Sequence, residues 1–289
     1  MSEVPARELE RYRTLGYIMG TAREHGVSRL YNYQPRLDYL EDILRENHIH
    51  CSSSKNFNDP WDCKPCFDPS SLEDPKQRDQ WRAYFEQLHA DCPPNERAEN
   101  VRDLGPDWWR NPTQLEKVIE GMGPSVWGLN AKNYRIFCLT TKPTSLLMWA
   151  HYADKHRGLC LEFDATAEKI WGARRVVYAD RFLSTSAETI ANSEKLVELS
   201  LLTKSTEWAY EEEYRVLGRD GKVDPCFSLA TDGDFLRLPQ GAITAVIAGS
   251  ASDLDAVRSI IKRVKVAMPL KHAKRLPNEY RLEIVEVTE

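Results

Sequence analysis

The stretch Trp208-Ala-Tyr-Glu-Glu-Glu-Tyr-Arg-Val-Leu217 packs three carboxylates, three aromatic rings and a guanidinium into its first eight residues. Read as an extended strand, whose side chains alternate between faces, it sets Glu211, Glu213 and Arg215 on one side. Tyr210, Glu212 and Tyr214 fall on the other. Two carboxylates on one strand face, about 7 Å apart, repel unless a cation, a shared proton or a substrate accounts for them. One alternative is a solvated edge strand carrying a charge ladder. On that alternative Glu213→Gln would be neutral or slightly stabilising. The other is a site in which Glu213 is the catalytic carboxylate and Glu211 tunes it or activates an acceptor.

Three further segments concentrate reactive side chains: Tyr31-Asn32-Tyr33, Phe57-Asn58-Asp59-Pro60-Trp61-Asp62, and Met148-Trp149-Ala-His151-Tyr152 with His156-Arg-Gly158 after it. Met148, His151 and Tyr152 are spaced for one helix face, with Trp149 to the side. Such rings suit a flat partner, nicotinamide or a base; the alternative is core aromatics and a hydrogen-bonded histidine. Lys204 reads either as a phosphate contact or as a helix-end lysine whose stem lies along apolar surface. Tyr31, Asn58, Asp59, Trp149, His151, Tyr152, Glu211, Glu213 and Arg215 are expected to converge on one cleft, because each is costly to bury without a partner. Lys204 and Trp208 join them as ligand contacts, and His151 joins the two glutamates as a catalytic group.

The elements that must position these groups follow from periodicity and turn signals. Residues 1–28 are a polar, helical lead-in, with Tyr12, Leu15 and Ile18 at helical spacing. Strands are expected at 30–33, 48–51, 134–140, 159–163, 175–178, 210–217, 242–248, 265–268 and 282–285. Helices are expected over about 37–44, 75–91, 113–121, 146–156, 187–205 and 253–263, with Gly158 stopping the fourth. The segment 68–130 is a peripheral helical insertion in which Trp108-Trp109 serve as core or interface. Short strands alternating irregularly with helices predict a single α+β domain over 29–286 with a split, mostly antiparallel sheet.

Composition narrows the classes. With 42% hydrophobic and 10% aromatic residues, the chain has ample material for a packed core. A formal net charge of −5 excludes a globally basic nucleic-acid binder. No run approaches the ~18 apolar residues of a membrane span, and the first residues lack the apolar core of a signal peptide. Seven cysteines, an odd number set in apolar contexts, suggest a reduced cytoplasmic protein. Cys63-Lys-Pro-Cys66 has no second close pair at finger-like spacing, so no metal is expected.

Taken together, the segments resemble domain-of-unknown-function family 2971. The matching patterns are Tyr31–Tyr33, Phe57–Asp62, Met148–Gly158, Lys204–Arg215 and the Val246–Gly249 strand end, across roughly residues 29–286. That resemblance carries no activity. The order of elements is also similar to the ADP-ribosyltransferase fold: a first short strand, a helix and a second short strand, a central strand ending in Ser/Thr, and a glutamate at the start of a late strand. Leu30–Tyr33, Phe137–Thr141 and Glu211–Glu213 take those places, although Asn32 stands where the family has His or Arg. The resemblance implies NAD as substrate, with a protein or nucleic acid as acceptor. A glutamate opposing positive charge suits the oxocarbenium-like state of nicotinamide–ribose cleavage. Two other readings stay open: a non-catalytic module binding a nucleotide or a partner, and a metal-assisted nuclease or hydrolase using Asp59, Asp62, Glu211, Glu213 and His151.

Overall fold

A computed structural model describes residues 19–92, 101, 104–182, 185–222 and 228–287. The chain clusters into two compact units. The first comprises residues 1–56, 134–178 and 206–289, and the second 57–133 and 179–205. The second unit therefore contains the expected insertion and also takes in a segment from much later in the sequence.

The first unit is organised on a nine-stranded, mostly antiparallel sheet. Its strands in chain order are β1 (Arg29–Gln34), β3 (Tyr134–Thr140), β4 (Leu159–Asp164), β5 (Arg174–Arg175), β8 (Glu213–Asp220), β9 (Leu229–Thr231), β11 (Ile243–Ala248), β12 (Leu270–Arg275) and β13 (Leu282–Glu286). In space they run β13-β12-β11-β4-β1-β3-β8-β5, with β9 joined to β8. Only the β11–β12 and β8–β9 pairings are parallel. The four strands expected to share a core are consecutive, β4-β1-β3-β8, in one connected ladder rather than in two half-sheets. A separate ribbon pairs β2 (His48–His50) with β10 (Phe235–Arg237), and β6 (Val177–Ala179) and β7 (Thr203–Ser205) are short strands outside the large sheet.

One sheet face carries the main core, in which Leu30, Phe137, Leu139, Leu161, Phe163, Val216 and Val246 pack with Leu40, Ile43 and Leu44 of α1 (Leu40–Glu46). Val257 and Ile261 of the later helix Leu254–Val264 complete it. That helix starts where Asp253 accepts hydrogen bonds from the N–H groups of Asp255 and Ala256, and stops at Lys265 in the left-handed conformation. The opposite face holds a smaller cluster in which Tyr33, Cys160, Ile247 and Ala273 meet Met148, Trp149 and Ala153.

The second unit is helical in its first part, with α2 (Pro75–Asp91) and α3 (Pro112–Asn133). Trp108 and Trp109 are buried there beside Trp81 and Phe85, in line with a core role. α3 runs twelve residues past its expected end at 121, straight through Pro124. Its buried stripe of Leu115, Val118, Ile119 and Met122 holds it where propensity alone would break it.

Other boundaries also differ. Residues 1–18 of the expected lead-in lie outside the described residues, and 19–28 are turns rather than helix, with Thr21 bridged to Arg174. The 187–205 helix is interrupted at Asn192, whose side chain caps a second helix by accepting from the N–H of Lys195. The remainder, Thr203–Ser205, is extended. The strand expected at 265–268 instead forms at 270–275. Lys265 still belongs to the helix end, and the polar Leu270–Arg275 segment is held by its two strand neighbours.

Candidate functional site

Strand register assembles a row of polar side chains across the sheet. Glu162 on β4 pairs with Tyr31 on β1, Tyr31 with Thr140 on β3, and Thr140 with Glu213 on β8. Directly paired residues share a face, so Glu162, Tyr31, Thr140 and Glu213 line up laterally. The next row holds Cys138, paired with Arg215. This polar face is opposite to the one carrying Leu30 and Leu139.

The glutamate strand is shorter than its sequence suggests. Thr206–Glu211 form a 3-10 turn, Glu212 sits at φ +42°, and β8 begins at Glu213. The left-handed residue resets the alternation, so Glu211 is not a strand neighbour of Glu213. Arg215 is fully buried and grips Glu213 with both arms, Nε to Oε1 at 2.8 Å and Nη2 to Oε2 at 2.9 Å. A solvated charge ladder is thereby ruled out, since Glu213 is 3% exposed. Glu211, equally buried, accepts the Tyr152 hydroxyl at 2.7 Å, and its backbone carbonyl accepts the Thr140 hydroxyl. Glu212 receives Thr141 Oγ1 at 2.5 Å and Lys142 Nζ at 2.8 Å. Burial works against its ionisation, but those bonds hold its carboxyl below the ordinary value.

Tyr152 closes α4 (Leu146–Tyr152), which Ser145 caps by accepting from the Met148 N–H. The helix ends four residues before its expected stop. Asp154, Lys155 and His156 then occupy the left-handed region at φ 44°, 55° and 69°. Backbone bonds from His156 N to Trp149 O, Gly158 N to Ala153 O and Ala251 N to His156 O fix that strained turn. Gly158 is required there, because a Cβ would sit 2.2 Å from the Gln34 carbonyl oxygen.

Trp149 is fully buried and donates Nε1–H to Pro143 O at 2.8 Å. Its ring meets Tyr33 edge-on at 5.0 Å and stacks over His156 at 6.2 Å. Burial, with Arg275 adding to it, lowers the His156 pKa. His151 is exposed, touching Tyr152 edge-on, and Trp208 is half-buried beside Tyr210. Asn58, Asp59 and Lys204 belong to the second unit. Asp59 accepts the Trp61 N–H in a local turn, Asn58 is exposed, and Lys204 lies 3.5 Å from Asp62 with both side chains buried.

Three groups escaped sequence reasoning. Thr140 is legible only as part of the Ser/Thr end of the central strand; its place between Tyr31 and Glu213 comes from register. Glu162 did give a signal, as the lone acid inside Leu159-Cys-Leu-Glu-Phe163. It bonds Lys271 Nζ and Thr244 Oγ1, each at 2.8 Å, and Lys271 arrives from β12, a pairing invisible in sequence. Burial pushes the Tyr31 phenol up to about 12, with Glu162 and Cys160 adding and Arg29 opposing, so Tyr31 is a hydrogen-bond donor at neutral pH. Asn32, on the opposite face, spends its amide on the Cys138 carbonyl at 2.7 Å.

Among the described residues, no group of three or more His, Cys, Asp or Glu side chains is placed to hold a metal ion. Nor is any helix among them long and apolar enough to cross a membrane. No curated protein and no solved structure matches the chain. Residues 148–216 match the family model described as Protein of unknown function (DUF2971), the family that the Met148–Gly158 and Lys204–Arg215 motifs resemble.

Proposed function

We propose that the polar sheet face is an NAD-dependent, ADP-ribosyltransferase-like site that modifies a protein or nucleic-acid acceptor. The observation that carries this reading is the register row Tyr31–Thr140–Glu213, which sets a glutamate at the start of a late strand beside a central strand ending in Thr. With strands ~4.8 Å apart, Tyr31 and Glu213 stand roughly 10 Å apart on one sheet face, with Thr140 between them. Glu213, fixed at the start of β8 by Arg215, would meet a ribose hydroxyl and face the positive charge of the transition state. The nicotinamide leaves with the electrons of the C–N bond. The acceptor nucleophile forms the new bond and passes its proton to Glu211. The ribose contact that the family resemblance assigns to position 32 falls to the Tyr31 hydroxyl, because Asn32 faces the other way and its amide is engaged.

A second reading, a module that binds a nucleotide without turnover, is favoured by one feature: Arg215 already neutralises Glu213. The test is nicotinamide release from NAD by wild type, Glu211→Gln and Tyr31→Phe, variants that keep the Arg215–Glu213 pair, alongside calorimetric NAD binding. The transferase reading expects release by wild type and its loss in Glu211→Gln. Binding without release assigns the second reading, and neither binding nor release sinks both.

A further inference from the structure

On the other side of the sheet, α1 and the β2–β10 ribbon enclose a groove of about 520 Å³ that the polar row does not touch, well within the size of small-molecule sites. The ribbon's alternation explains its chemistry. Ile49 and Leu236 turn inward and are 1% exposed, which leaves His48, His50, Phe235 and Arg237 on the outer face. The Phe235 ring lies 4.8 Å from His48 and 5.5 Å from His50, making a wall of three rings. Phe235 is nevertheless 44% exposed, and Tyr39, which also lines the groove, is 55% exposed. Two large rings left uncovered in one lining suit a flat, stacking partner.

The polar groups are divided in charge. Arg36 lies at one part of the lining and Asp42, in α1, at another; neither has an ion-pair partner among the described residues. A flat ring alone would leave both charges unanswered. A mononucleotide answers both: the phosphate takes the Arg36 guanidinium, with the imidazoles as further donors, and a base amine or ribose hydroxyl donates to Asp42. We infer that this groove is a mononucleotide-binding site, separate from the polar face and independent of the activity proposed for it.

The experiment is calorimetric titration of the full chain with adenosine 5′-monophosphate, with adenosine and inorganic phosphate as separate arms. Variants are Arg36→Gln, Phe235→Ala and Glu211→Gln. The expected result is saturable binding of the monophosphate. Arg36→Gln should weaken it about ten- to hundredfold, the value of a charge-assisted hydrogen bond. Phe235→Ala should weaken it comparably, while Glu211→Gln leaves it unchanged. Both groove residues are at the surface, and thermal melts will show that the fold persists. The inference is overturned by no binding at millimolar monophosphate, by phosphate binding as tightly as the nucleotide, by affinity unchanged in both groove variants, or by loss in Glu211→Gln. Because Glu211 acts only on the opposite face, failure here leaves the transferase reading standing, and the reverse holds as well.

Discussion

Glu213→Gln is the most informative single change in this protein. Arg215 is 0% exposed and Glu213 3%, and two charge-assisted bonds of 2.8 and 2.9 Å join them. Glutamine preserves the shape, but one of its two terminal atoms becomes an N–H donor facing a guanidinium that has only donors. The substitution therefore removes one bond, creates a donor–donor clash and takes away the carboxylate charge that the buried guanidinium holds with two bonds. Breaking a buried pair from one side costs ~3–5 kcal/mol. With melting temperatures moving ~2–4 °C per kcal/mol in proteins of this size class, even the lower figure lowers the melt by roughly 6–12 °C. Glu211→Gln is the internal control. Glu211 accepts a neutral hydroxyl from Tyr152, and glutamine retains an acceptor, so its cost stays near the ~0.5–1.5 kcal/mol of an ordinary hydrogen bond. Replacing both members of the pair, Glu213→Leu with Arg215→Met, should recover part of the loss, since it removes both buried charges together. Thermal melts and urea denaturation of the four proteins test this. A Glu213→Gln melt within ~2 °C of wild type, or one no worse than that of Glu211→Gln, refutes the claim that this ion pair holds the strand.

Two further outcomes follow from the loop after α4. Gly249→Ala should cost at least ~1–3 kcal/mol, because the new Cβ would stand 2.1 Å from the His156 carbonyl oxygen and 2.8 Å from its carbon, both backbone atoms. Gly172→Ala, with nothing within 4 Å of its Cβ, should be close to neutral in the same melts. The His156 imidazole is held below its ordinary value of 6.5, first by burial and then by Arg275. The unfolded chain therefore takes up that proton first as the pH falls. Full stability is present above 6.5 and is lost as the pH drops below it toward the lowered folded value. His156→Gln should flatten that part of the stability–pH curve, and superimposable curves would count against the assignment.

The ladder that frames the site was legible because its strands advertise themselves locally. Ile136-Phe137, Leu159–Phe163 and Ile243–Ala248 are largely apolar runs, and all fall within sheet strands. Their neighbours were not legible: that β1 sits between β3 and β4, or that Lys271 reaches Glu162, depends on pairings across more than a hundred residues. Helix ends failed where tertiary bonds overrode propensity. His156 was read as the last turn of a helix because Gly158 follows it. In the fold, Gly158 is needed for close approach to Gln34, and the helix stops four residues earlier in a left-handed turn. Helical spacing groups Met148, His151 and Tyr152 on one face with Trp149 to the side, but Met148 is buried, His151 is exposed and Tyr152 reaches Glu211. Spacing alone does not say which side of a short helix meets the sheet.

The like-charge problem posed by Glu211-Glu-Glu213 has a geometric answer that bears on chemistry. Had the segment been a regular strand, Glu211 and Glu213 would have shared a face and competed for Arg215. The left-handed residue at Glu212 breaks the alternation, and each carboxylate acquires a partner of a different kind. Glu213 meets the Arg215 guanidinium through both carboxylate oxygens, and Glu211 accepts the Tyr152 hydroxyl through Oε1. On the proposed transferase reading, Glu213 faces the developing positive charge and Glu211 takes the acceptor's proton. A pure binding site needs no proton acceptor. Tyr152→Phe therefore discriminates: it leaves the Arg215–Glu213 pair intact and strips Glu211 of its hydroxyl, so it should change the pH profile of any turnover while leaving nucleotide affinity within about twofold.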